Sequence, residues 1–192
     1  MQNEIVGVLD EDHVRLGELA AGLRACPRPA FALRQFDEFA QLLGGHLLVM
    51  KRIVYPALKT IGWKDVSSVL LLGHARLSRG FAELLTLKRA NGAFADALSD
   101  LLDATEHLLE AERTELRPIL VRHFSVGARL AMAADAVLYL PPRASAGAPP
   151  AVHTLRQSAR DWVEEARLLL SGLRPEPFAS DAADGGDTAP AP

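Results

Sequence analysis

Two stretches of this chain repeat one pattern, and that repeat limits the fold more than any other feature. His13-Val-Arg-Leu-Gly-Glu-Leu-Ala-Ala-Gly-Leu23 aligns with His74-Ala-Arg-Leu-Ser-Arg-Gly-Phe-Ala-Glu-Leu84, with His, Arg, Leu, Ala and the closing Leu coinciding. A second histidine follows at the same interval in each copy: His13 and His46 are 33 residues apart, and so are His74 and His107. Each copy then reaches a proline, Pro56 or Pro118. Two units are too few and too long for a solenoid. Two helical hairpins related by a pseudo-two-fold axis make a four-helix bundle, in which each histidine stands on a different helix and projects toward the same layer.

The periodicity agrees. Apolar residues at helical spacing predict a first helix over residues 5–24 and a second from about 30 or 33 to 58. A third is predicted over 65–88, and a fourth from 93 to beyond Pro118. Cys26-Pro27-Arg28-Pro29, Gly62 and Ala90-Asn91-Gly92 supply the breaks. A short fifth helix is expected over 126–140, a Pro/Ala-rich linker over 141–150, an accessory amphipathic helix over 151–173 and a disordered tail over 174–192. No segment has a convincing strand period. The expected fold is all-α: an up-down-up-down four-helix bundle over 1–140 with one or two extra C-terminal helices.

Composition excludes several classes. A chain of 192 residues suits one domain with a substantial core. A net charge of −3 gives no basic surface for a nucleic-acid partner. The single cysteine, Cys26, rules out an internal disulfide and argues against a Cys-based zinc site. The N-terminal stretch lacks the features of a secretory signal, and no uncharged run is long enough for a membrane helix, so no membrane partner and a cytoplasmic location are expected. There is no nucleophile-base pair, Gly-rich phosphate loop or Cys motif, so no catalytic residue is assigned and enzymatic activity is left open.

Four inward-facing imidazoles in a helical bundle have few uses other than holding metal. The stretch Asp103–Pro118 adds carboxylates at Glu110 and Glu112. Pro56 lies 10 residues after His46, whereas Pro118 lies 11 after His107, so aligning from the prolines matches Met50 to Glu112. A π-bulge absorbs one extra residue, and one within 105–114 would bring Glu112 onto the face of His107. A regular helix there would favour Glu110 instead. Asp10, Glu11 and Asp12 read as first-turn charges favoured by the helix dipole, too near His13 in sequence for Glu11 or Asp12 to share its face. Tyr55 reads as a packed aromatic with its hydroxyl at the surface. His123 and His153 fall outside the repeat and read as surface residues.

The sequence resembles a hemerythrin-like (HHE cation-binding) domain over about 8–122. The resemblance rests on Leu9-Asp-Glu-Asp-His13, His46 followed by Tyr55-Pro56-Ala57-Leu58, His74, and His107-x-x-x-x-Glu112 before Pro118. It implies a non-haem di-iron centre ligated by His13, His46, His74, His107 and Glu112. It also implies dioxygen binding, nitric oxide or peroxide chemistry, iron handling or sensing. The chain departs from the family where the second helix usually reads His-x-x-x-Glu: Met50 stands there, followed by Lys51, and Ser78 replaces the second histidine that respiratory members carry on the third helix. A thioether is a poor substitute for an anionic bridge, so the iron is expected to bind weakly, as a single ion, or not at all. Two readings follow: a metal-binding protein with a degenerate site, or a metal-free interaction or regulatory domain. The accessory helix is expected to pack on the bundle or on a second copy of the chain, the latter making a homodimer.

Overall fold

A computed structural model describes residues 4–25, 29–62, 66, 68–88 and 92–140, together with Gln157 and Arg160. All regular structure among the described residues is helical. Helix α1 is Ile5–Ala25, α2 is Pro29–Val49, α3 is Tyr55–Thr60 and α4 is Ser68–Leu84. Then come α5, Gly92–Ala111, α6, Arg117–His123, and α7, Val126–Ala136. Two five-residue π-helical turns are inserted, π1 at Met50–Val54 and π2 at Glu112–Leu116. Val49, Val54, Ala111 and Leu116 keep helical dihedrals, so α2-π1-α3 and α5-π2-α6 each run on without a break.

Each helix is held by one apolar stripe. On α1 the buried residues are Ile5, Leu9, Asp12, Leu16, Ala20 and Leu23, a three- and four-residue spacing that stays on one face. On α5 and π2 the stripe passes through Leu101, Leu102, Thr105, Leu108, Leu109, Glu112 and Leu116. Each fully buried Leu or Phe contributes about 1.5–3 kcal/mol relative to an exposed one. Helix α1 packs on α2, α5, α6 and α7, and α4 packs on α5. Gly73 permits the α4–α5 approach: a Cβ there would lie 3.1 Å from Leu108 Cδ1. Gly62, with φ of 65°, ends the α2-π1-α3 rod in the left-handed conformation expected of a helix-terminating glycine.

The prolines account for the π turns. A proline ring in an α-helix collides with the carbonyl four residues back and offers that carbonyl no N–H. Just ahead of Pro56 and Pro118 the ladder widens: Tyr55 N–H donates to the Met50 carbonyl and Arg117 N–H to the Glu112 carbonyl, five residues back. The Thr114 hydroxyl donates to the Glu110 carbonyl at 2.9 Å. The expected bulge in the fourth helix is therefore present, but it begins at Glu112, and π1 is its counterpart in the first copy.

Helix α7 is shorter than expected over 126–140, with Ser125 Oγ accepting from Ala128 N–H at its start. Arg129 fastens it to the chain start through Glu4 at 2.7 Å. The predicted linker, most of the accessory helix and the tail lie outside the described residues. Gln157 and Arg160 are both helical, and the Arg160 guanidinium donates to the Gln157 side chain.

Candidate metal centre

Glu112 stands at the middle of the site. As the first residue of π2 it lies on the buried stripe, and its carboxylate is wholly out of solvent. Three imidazoles from three other helices close on it. His13 Nε2 of α1 lies 2.7 Å from Oε2, and His46 Nε2 of α2 lies 3.2 Å from Oε1. His74 Nε2 of α4 lies 2.7 Å from Oε1. The His13 and His46 rings meet edge-on, with centroids 5.4 Å apart. His46 and His74 are fully buried, while 12% of the His13 side chain stays accessible.

One outer nitrogen is held as well. His74 Nδ1 lies 3.0 Å from the Leu70 carbonyl oxygen and 2.9 Å from the Tyr55 hydroxyl. A carbonyl oxygen can only accept, so Nδ1 carries the proton in that contact and Nε2 is left to face Glu112. Asp12 stands behind His46: its carboxylate is buried, and Oδ2 lies 3.7 Å from His46 Nδ1. That is too long for a hydrogen bond but close enough for strong attraction at low dielectric.

Charge in the cluster is self-consistent. Burial works against protonation of His46, but the Glu112 and Asp12 carboxylates outweigh it and raise its pKa to about 10. Burial also works against ionisation of Glu112, yet the charge of His46 and the hydrogen bonds from His13 and His46 hold that carboxyl well below its usual range. Burial pushes the Tyr55 phenol upward, and Glu112 and Glu115 add to the shift.

The ligand atoms of His13, His46 and Glu112 all lie within 4.8 Å of one another, so these residues could hold a metal ion. The donor set fits one. Three imidazoles and a carboxylate suit a divalent first-row metal once His46 gives up its proton, and all three rings turn Nε2 inward. One outer contact, His74 Nδ1 to the Leu70 carbonyl, resembles those that fix the tautomer of metal-binding histidines. Asp12 Oδ2, His13 Nδ1 and His46 Nδ1 have no hydrogen-bond partner among the described residues. The set does not suit a ferric pair, whose charge a single carboxylate would leave largely uncompensated in a dry core.

Four of the five residues singled out from the sequence therefore meet: His13, His46, His74 and Glu112. His107 does not. It is exposed on the α4–α5 surface beside Gly73, Arg76, Asp100 and Asp103. The helix is regular from His107 to Glu112, so five residues separate their directions by about 140°. Because π2 starts at Glu112 rather than before it, the turn cannot close that angle. Counting back four residues from the π turns matches His46 to Leu108, which is buried, and not to His107. Glu110 is exposed and paired with Arg113, and Met50 is fully buried. Lys51 and His123 are half-buried, and His153 lies outside the described residues.

Two further residues take part against expectation. Tyr55 is buried with its hydroxyl on His74, not at the surface. Asp12 does not share the face of His13, yet the stripe Ile5, Leu9, Asp12, Leu16 turns it inward. That stripe is the sequence signal that marks Asp12 as buried. Asp12 and Glu112 stand at opposite ends of the His46 ring.

Comparison with protein-family models, curated proteins and solved structures finds no match for this chain. The chemistry of the centre therefore rests on its own residues. No helix among the described residues is long and apolar enough to cross a membrane.

Proposed function

We propose that this chain is a hemerythrin-like metal-binding protein, an up-down-up-down four-helix bundle holding a single iron ion for small-gas or redox sensing, or for iron handling. His13, His46, His74 and Glu112 are the ligands. The observation that carries the reading is the convergence of three imidazole Nε2 atoms from three helices on one buried carboxylate, at 2.7–3.2 Å. Asp12 and Tyr55 orient two of the rings from behind. Iron bound there would supply a change of oxidation state and a coordination position for a dioxygen, nitric oxide or peroxide ligand. The protein's own part is to bring the imidazoles together, to hold His74 in one tautomer and to keep bulk water out.

A second reading has its own support. His46 carries a proton up to about pH 10, so the Glu112 charge is already balanced without metal. With Met50 where a second carboxylate would stand, a metal-free regulatory domain is consistent with the same geometry.

Metal analysis of protein expressed with iron decides between them. The first reading expects about one iron per chain with a visible or paramagnetic signature, lost in Glu112→Gln. A colourless protein with no stoichiometric metal, whose thermal midpoint ignores added ferrous ion, establishes the second.

A further inference from the structure

The centre is buried, so a ligand needs a way in; two spaces among the described residues reach His13, and of the two it is the seam between α1 and π2–α6 that also touches Glu112. Two stripes of the same spacing face each other across it: Val6, Leu9, Asp10 and His13 on α1, and Arg113, Leu116, Arg117 and Leu120 on π2 and α6. Between them is a cavity with room for about one water molecule, and Glu112 also lines it. Its walls are the aliphatic Val6, Leu9, Leu116 and Leu120. Its inner end is the partly accessible His13 and the fully buried Glu112. Its outer end is an ion pair joining α1 to α6, Arg117 Nε to Asp10 Oδ2 at 3.4 Å, whose side chains are 53% and 44% exposed. The other arginine of the lining, Arg113, is paired with Glu110.

We propose that this seam is the route to the centre, that the Asp10–Arg117 pair is its outer latch, and that it admits uncharged molecules little larger than water. The proposal rests on the reading of the centre as a metal site and adds its access route and ligand class. Size follows from the cavity. Charge follows from the lining: each guanidinium at the mouth has its own carboxylate, so an anion gains little there and would have to shed water against four aliphatic side chains. The latch opens easily because exposed ion pairs are weak. Leu43 and Leu71 are as fully buried as Leu120 but do not line this cavity.

The route can be tested without metal. In the metal-free full chain with labelled methyls, dissolved dioxygen serves as a paramagnetic probe. Relaxation at Val6, Leu9, Leu116 and Leu120 should exceed that at Leu43 and Leu71. It should rise further in Asp10→Asn and in Arg117→Gln, and fall in Val6→Phe, which narrows the cavity at a partly buried position. Equal relaxation at the seam and the deep core, or no response to Asp10→Asn, overturns the route. In iron-loaded protein, nitric oxide should associate faster than azide and speed up several-fold in Asp10→Asn; azide binding as fast as nitric oxide overturns the ligand class. If iron fails to bind while the seam methyls respond as described, the metal reading falls and the route stands.

Discussion

Glu112 touches three imidazoles, and Asp12 reaches the same cluster through His46 alone. That difference separates a ligand from a residue that orients one. Asp12→Asn keeps the shape and removes the charge behind His46, so metal affinity should fall about 10–100-fold, measured by competition with a chelator of known affinity. His107 and His46 make a sharper contrast, since the repeat treats them as equals. His107→Ala changes an exposed side chain and should alter stability by no more than about 0.5 kcal/mol, with metal content intact. His46→Ala should abolish metal binding. A His107→Ala protein that loses its metal would refute a ligand set of His13, His46, His74 and Glu112.

Among the elements, the two π turns are the devices that place the site. Each precedes a proline, and each begins with a buried residue, Met50 in π1 and Glu112 in π2. Deleting Thr114 should remove the extra residue of π2, restore α-helical bonding and press Pro118 against the carbonyl four residues behind it, costing about 3 kcal/mol in denaturant unfolding. Pro118→Ala should recover most of that loss in the deletion background and do little in the native chain. The equivalence of Met50 and Glu112 yields another expectation. Met50→Glu buries a second carboxylate, which should destabilise the metal-free protein by about 3–5 kcal/mol and raise the iron bound per chain. An unchanged iron content in a folded variant would show that Met50 does not face the metal.

For the whole molecule, the buried network ties stability to pH. The folded pKa of His46 is raised, so its contribution is complete below the unfolded value of 6.5 and is lost as pH rises through about 10. The folded pKa of Glu112 is lowered, so its contribution is complete above the unfolded value of 4.5 and is lost as pH falls through the folded one. Metal-free protein should therefore show a plateau in urea midpoint between about pH 4.5 and 6.5, with a decline on either side. In His46→Gln the alkaline decline should disappear. An alkaline limb that persists in that variant would assign it to other groups.

Much of this molecule was legible in its residues. Apolar spacing marked the helices, Gly62 and the prolines marked their ends, the extra residue before Pro118 marked one widened turn, and the spacing of His13, His46, His74 and His107 pointed to one buried cluster. These are local properties, set by side-chain periodicity and backbone sterics within a turn or two. Which residues completed the cluster was settled between helices. His107 fell outside it because the repeat and the helical stripe disagree by one residue, and close packing of Leu108 against Gly73 follows the stripe. Asp12 joined because α2 packs against the face of α1 that carries it. A single residue of register turns a side chain by about 100°, and only the packed partner decides which of two neighbours is inside.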